Sequence, residues 1–207
     1  MSARTYDPVK RVIDVVGALV GLLLTAPLQV VLAVLVRKNL GSPVLFRQLR
    51  PGKDEEVFEL VKFRTMLETD PVSGLVTDAD RLTGFGKLLR ATSLDELPSL
   101  WNVLKGEMSL VGPRPLLVQY LDRYTDQQRR RHEVTPGITG LAQVSGRNAL
   151  TWDEKFGLDL EYVEKRSLSL DLRIIVLTVA RVLSRSGISD ASSPTMAEFR
   201  GSESIRD

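Results

Sequence analysis

Apolar positions run almost without a break from residue 15 to residue 36, inside the stretch KRVIDVVGALVGLLLTAPLQVVLAVLVRK. Basic pairs close it at both ends: Lys10 with Arg11, and Arg37 with Lys38. A membrane-spanning helix concentrates Lys and Arg on its cytoplasmic side, so two basic ends predict that both stay on that side. Pro27 stands near the middle. Proline removes one helical hydrogen bond and clashes with the carbonyl four residues back, here that of Leu23. The arms on either side, 15–26 and 28–36, are each shorter than the roughly 20 residues a crossing requires. The pattern therefore predicts a re-entrant helix that bends at Thr25, Ala26 and Pro27, with the Thr25 hydroxyl free to donate to a released carbonyl. A single-pass anchor kinked at the proline fits the hydropathy equally well.

Beyond this stretch the pattern shortens. SPVLFRQ and EEVFELVKFRTM predict two strands, joined through Pro51-Gly52 as a hairpin. Residues 67–80 are acidic, punctuated by Pro71 and Gly74, and predict a loop. Leu82, Phe85, Leu88 and Leu89 predict a short amphipathic helix. Leu97, Leu100, Trp101 and Leu104 predict another, stopped by Gly106. Residues 117–134 predict a helix that grows basic toward its end, and 136–148 a glycine-punctuated loop with a short strand. Trp152, Phe156, Leu160 and Val163 mark a further helix. Residues 168–183 are apolar but too short to cross, predicting a helix packed on the domain or lying at the interface. The expected class is α/β, mainly helical with a short β-hairpin, on a membrane helix. The expected divisions are residues 1–38 for the membrane helix, 39–184 for the catalytic domain and 185–207 for a polar, Ser-rich tail with little core.

Composition narrows the chemistry. The 207 residues include no cysteine and one histidine, His132. Disulfides, thiolate metal sites and multi-histidine metal clusters are excluded, and a Ser-His-Asp hydrolase is disfavoured. The net charge is +2, and basic residues cluster at 47–50, 62–64, 87–90 and 129–131. Such clusters suit lipid headgroups or phosphate ligands. No nucleic-acid-binding motif accompanies them, so no nucleic-acid partner is expected.

Ser93-Leu94-Asp95-Glu96 opens the predicted helix at Leu97. Ser93 and Glu96 have capping-box spacing, and Asp95 is an alternative cap. Either arrangement puts two carboxylates at a helix start, where phosphate is also favoured; on these four residues alone, a plain cap is the favoured explanation. The next segment, GEMSLVGPRP, adds Arg114 between two prolines, a rigid platform for a guanidinium that can fork onto phosphate oxygens. SGRN adds Arg147 in a second glycine-bearing loop, and Lys62 and Arg64 share one strand face by the two-residue period.

KFRTM, SLDELPSLWNVLKGEMSLVGPRPLL and RHEVTPGITGLAQVSGRN together closely resemble the bacterial monotopic phosphoglycosyl transferases, which act on polyprenyl phosphate. The resemblance covers nearly the whole chain and is nearest to the small, catalytic-domain-only members, such as those that transfer N,N′-diacetylbacillosamine phosphate. It implies a monotopic protein of the bacterial inner membrane with its catalytic domain facing the cytoplasm. It implies UDP-sugar and undecaprenyl phosphate as substrates, contact with membrane lipids, and Mg²⁺ held at Asp95. It also implies Asp95 as nucleophile with Glu96 as its partner. Lys62, Arg64, Arg114 and Arg147 are then the expected phosphate or substrate contacts. Many small members break the membrane helix at Ser-Pro; here the pair is Ala26-Pro27, which leaves Thr25 to supply the hydroxyl. Two other readings of the residues stand beside this one: a non-catalytic, membrane-anchored adaptor with a basic surface, and a hydrolase of nucleotide-linked lipids.

Overall fold

The computed structural model describes residues 3–146, 150–184 and 198–201. Its longest element is α1 (Ala3–Leu40), about 57 Å at 1.5 Å per residue. Pro27 lies inside α1 without ending it, so the predicted bend is not a turn between two helices. The Thr25 hydroxyl donates to the carbonyl of Gly21 at 2.6 Å, rather than to the Leu23 carbonyl that Pro27 leaves free, and accepts from Gln29 at 2.9 Å. Hydroxyl back-bonding of this kind favours helix bending.

A β-hairpin follows. Strand β1 (Leu45–Pro51) pairs antiparallel with β2 (Val57–Phe63), from Leu45 opposite Phe63 to Pro51 opposite Val57. The predicted turn holds, with Asp54 and Glu55 at positive φ. The acidic 67–80 segment is mostly turn, ending in the four-residue helix α2 (Asp78–Arg81), capped by Thr77. Next come α3 (Gly84–Ala91), a 3₁₀ turn at Leu94–Ser99, and α4 (Leu100–Lys105), which Gly106 ends at φ 91°. A second sheet, not predicted as a pair, joins β3 (Ser109–Val111) to β4 (Gly137–Thr139) in parallel.

The single helix expected over 117–134 is absent. A 3₁₀ turn (Val118–Arg123), α5 (Asp126–Arg129) and another 3₁₀ turn (Arg130–Glu133) replace it. Thr125 restarts the helix with a capping box closed by Gln128. The short α6 (Leu141–Ser145), then α7 (Trp152–Lys165) and α8 (Leu168–Ser184), complete the described elements.

Rather than a tether, α1 is part of the fold. The Arg11 guanidinium donates to the carbonyls of Val103 and Leu104 at 2.6 and 2.8 Å, satisfying the open C-terminal end of α4. Asp14 accepts from the Leu110 amide at 3.0 Å. Tyr6, Lys10 and Tyr162 converge on Asp171 within 2.6–2.8 Å. Gly17 makes room for Leu110, whose Cδ1 would stand 2.7 Å from a Cβ there. At its other end, Leu32, Val36 and Leu40 pack with Phe63 and Leu89. Both ends of α1 thus rest on one body, while Val12, Leu23, Leu24 and Val30 between them are more than half exposed.

The tail also departs from expectation. Phe199 is 2 % exposed and joins Tyr120, Tyr124 and Phe156 in an aromatic core. The remaining residues beyond 184, apart from 198–201, lie outside the described residues.

Candidate active site

Asp95 and Glu96 sit on the 3₁₀ turn at Leu94–Ser99. Ser93 precedes it with φ 55° and makes no side-chain cap, so neither predicted capping arrangement forms. Glu96 has better partners. One of its oxygens, Oε1, accepts from Lys62 Nζ at 3.1 Å and from Arg114 at 2.7 Å. These two fixed cations supply the positive field at Glu96.

Neighbouring groups lock this turn in place. Ser99 donates to the Val61 carbonyl at 2.8 Å. Asn102, fully buried, accepts from the Val61 amide at 3.2 Å and donates to the Glu59 carbonyl at 2.8 Å. These bonds occupy the free edge of β2 and fix the distance between Lys62 on that strand and Glu96 on the turn. Gly112 allows the PRP loop to lie against the backbone after Val134, since a Cβ there would meet the Thr135 carbonyl at 2.5 Å. Its close approach is to the chain itself. Arg131 then donates to the Arg114 carbonyl at 2.8 Å while its guanidinium pairs with Asp159 at 2.6 Å. Both partners of this pair are buried. Removing one partner of such a pair strands the other charge, so Asp159→Ala is expected to cost about 3–5 kcal/mol, read as a lowered denaturation midpoint at unchanged slope.

The two carboxylates are driven apart electrostatically. Burial raises the pKa of Asp95, and the negative Glu96 raises it further, against the pull of Lys62, Arg114 and Arg90. Burial also works against ionised Glu96, but the Arg114 and Lys62 charges outweigh it and hold its pKa well below the usual range. Glu96 is therefore a fixed, neutralised anion. Among the described residues Asp95 has no ion-pair or hydrogen-bond partner. A buried carboxylate with a raised pKa and no partner among the neighbouring described side chains is a group of the kind that can serve as a nucleophile or a metal ligand. No group of three or more acidic or histidine side chains gathers among the described residues. One free carboxylate suits Mg²⁺, which binds through one or two carboxylates completed by substrate phosphates and water.

Glu96 and Arg114 open onto a cleft of about 490 Å³. Its lining includes the apolar Leu97, Leu100, Ile138 and Val144 together with Trp152, Lys155 and Phe156. Arg90 and Arg181 add positive charge. Such a cleft can take an anionic ligand with apolar portions.

Of the predicted contacts, Lys62 and Arg114 come together with the dyad, and Arg64 does not. Strand β2 ends at Phe63, so the two-residue alternation stops. The Arg64 guanidinium turns to the carbonyls of Leu40 and Ser42 and to Glu68, closing the end of α1. Arg147 lies outside the described residues. Sequence reasoning passed over Asn102, Asp159 and the special place of Arg131, whose importance rests on partners distant in the chain.

A model of the bacterial sugar transferase family matches residues 5–185. An uncharacterized sugar transferase, EpsL of Bacillus subtilis (strain 168), is 50 % identical over 197 residues, covering 95 % of this chain and 98 % of the relative. The undecaprenyl-phosphate galactose phosphotransferase of Salmonella typhimurium is 38 % identical over 205 residues, covering 90 % of this chain but 43 % of its own length. The UDP-glucose:undecaprenyl-phosphate glucose-1-phosphate transferase of Klebsiella pneumoniae is 42 % identical over 181 residues, with 82 % and 39 % covered. The chain thus spans less than half of these two relatives and nearly all of the first. It belongs to the bacterial sugar transferase family and is a transferase.

Proposed function

We propose that the protein transfers a sugar 1-phosphate from a UDP-sugar to undecaprenyl phosphate and releases UMP, an initiating step in building a glycoconjugate. The observation that carries this reading is the buried Asp95, without a hydrogen-bond or ion-pair partner among the described residues, next to a Glu96 that is neutralised by Lys62 and Arg114 and lines a cationic and apolar cleft. An Asp95 carboxylate oxygen attacks the β-phosphorus of the UDP-sugar. The bond from that phosphorus to the bridging oxygen breaks, and UMP leaves with the electron pair. An aspartyl phosphosugar remains. An oxygen of the polyprenyl phosphate then attacks the same phosphorus, and the Asp95 carboxylate leaves. Arg114, half-exposed toward the cleft and tied by one end to Glu96, is placed to bind phosphate oxygens as charge develops. Lys62 holds Glu96 from the strand side. Mg²⁺ held by Asp95 and the diphosphate would neutralise leaving-group charge. Arg147 remains a proposed substrate contact.

The membrane reading fits the packing of α1, a helix long and apolar enough to cross a membrane. Its two ends rest on the same body, which supports a monotopic helix that enters and returns from the cytoplasmic side. Helix α8 adds an exposed stripe of Leu168, Leu172, Val176 and Val179, suited to an interface. With no native cysteine, Val9→Cys and Lys38→Cys report topology directly. Neither should react with an impermeant thiol reagent in intact cells, and both should react after lysis; labelling of one alone in intact cells would establish a span.

Purified protein in lipid should be screened against UDP-glucose, UDP-galactose, UDP-N-acetylglucosamine and UDP-N,N′-diacetylbacillosamine. One of them should yield UMP, with sugar phosphate recovered on undecaprenyl phosphate. Free sugar phosphate as the steady product, indifferent to the lipid, would favour a hydrolase instead.

A further inference from the structure

Phe199 belongs to a segment that the sequence marks as polar tail, yet it is among the most deeply buried side chains. Its ring lies 5.0 Å from Phe156, 5.4 Å from Trp152 and 5.7 Å from both Tyr120 and Tyr124. The backbone around it is gripped as well. Arg123 pairs with Glu198 at 2.8 Å and donates to the Phe199 carbonyl, and the Phe199 amide donates to the Tyr120 hydroxyl at 3.3 Å. Four residues held by an ion pair, two main-chain bonds and a ring cluster form a docked element of the fold.

The surfaces this segment touches lead to the site. Trp152 and Phe156 line the cleft on their other sides. Arg131 stands 5.7 Å over the Phe156 ring and 5.9 Å over the Tyr124 ring. The same guanidinium holds the Arg114 carbonyl, and Arg114 holds Glu96. Three contacts therefore separate Phe199 from the Arg114 backbone: ring to ring, ring to guanidinium, guanidinium to carbonyl. Aromatic packing fixes ring position in a close-packed interior, so losing one ring lets Phe156 and Arg131 relax into the gap.

Building on the proposed reaction, we propose that Phe199 is a positioning residue for the first half-reaction. The docked segment at residues 198–201 is an integral support of the catalytic cleft. It sets the wall at Trp152 and Phe156 and, through Arg131, the placement of Arg114. Phe199 does not line the cleft, so its effect is assigned to geometry alone.

The test is single-turnover UMP release from the four UDP-sugars above, without undecaprenyl phosphate, for the full chain and for Phe199→Ala and Phe199→Leu. Positioning predicts that Phe199→Ala lowers the burst rate constant by about tenfold or more, since displacements near 1 Å cost up to about 100-fold, with burst amplitude per folded protein kept. Phe199→Leu, which refills most of the volume, should recover most of the rate. A parent rate constant with the amplitude reduced only per total protein, and unchanged per folded protein, would mean that Phe199 only helps the chain fold, and would overturn the proposal. The proposal also fails if Phe199→Leu is as slow as Phe199→Ala while both stay fully folded, because volume would then not be what the ring supplies. Absence of any burst in the parent protein would strike the proposed reaction itself, so the two failures are distinguishable.

Discussion

Asp95→Asn is expected to leave a folded, membrane-bound protein whose turnover falls by roughly 10⁴-fold or more, the scale seen when a nucleophile is removed. Asparagine keeps the size of the side chain but is a far poorer nucleophile at phosphorus. Stability should move in the opposite direction. Burial and Glu96 raise the pKa of Asp95 in the folded state, so the folded protein holds that proton more tightly than the unfolded chain. Ionised Asp95 is then a net cost above its folded pKa, a cost that disappears as the pH falls below the unfolded value. The substitution should therefore stabilise by on the order of 1 kcal/mol at pH 7.5, and the gain should vanish near pH 3. A higher melting temperature with lost activity is the signature of a site strained for function.

Glu96→Gln should reduce kcat by about 100-fold, for a different reason. Glu96 is the anchor that Lys62 and Arg114 share. Without its charge, Arg114 loses its fixed end and the site gains net positive charge. One consequence separates this from general damage. The anion of Glu96 is part of what raises the pKa of Asp95. Removing it lowers that pKa, so the acid limb of the residual kcat/KM profile should move to lower pH. A slower enzyme with an unmoved or raised acid limb would show that Glu96 does not set the charge state of Asp95.

Much of this arrangement could be read from local patterns. The hairpin follows from Pro51-Gly52 between two apolar runs, α4 from its spacing and the stop at Gly106, and α7 from four apolar positions after Thr151. Asp95, Glu96, Lys62 and Arg114, which the structure brings together, each lie in a short motif with its own chemistry. The failures are of two kinds. Over 117–134, helical spacing hid the Thr125–Gln128 capping box, a signal present in the sequence that marks a new start. At Arg64 the alternation was applied one residue past the end of the strand. The second kind was not legible locally at all. Asn102 on the edge of β2, Asp159 beneath Arg131, and Phe199 in the aromatic core acquire meaning from partners 28 to 79 positions away.

The most direct test of the covalent mechanism is intact-mass analysis of the protein after incubation with its UDP-sugar and Mg²⁺ in the absence of undecaprenyl phosphate. The mechanism predicts a mass increase equal to one sugar phosphate, matched by one UMP released per protein, located on Asp95 by peptide mapping and discharged when undecaprenyl phosphate is added. UMP release that requires the lipid from the outset, with no adduct on the parent protein and turnover retained in Asp95→Asn, would contradict it.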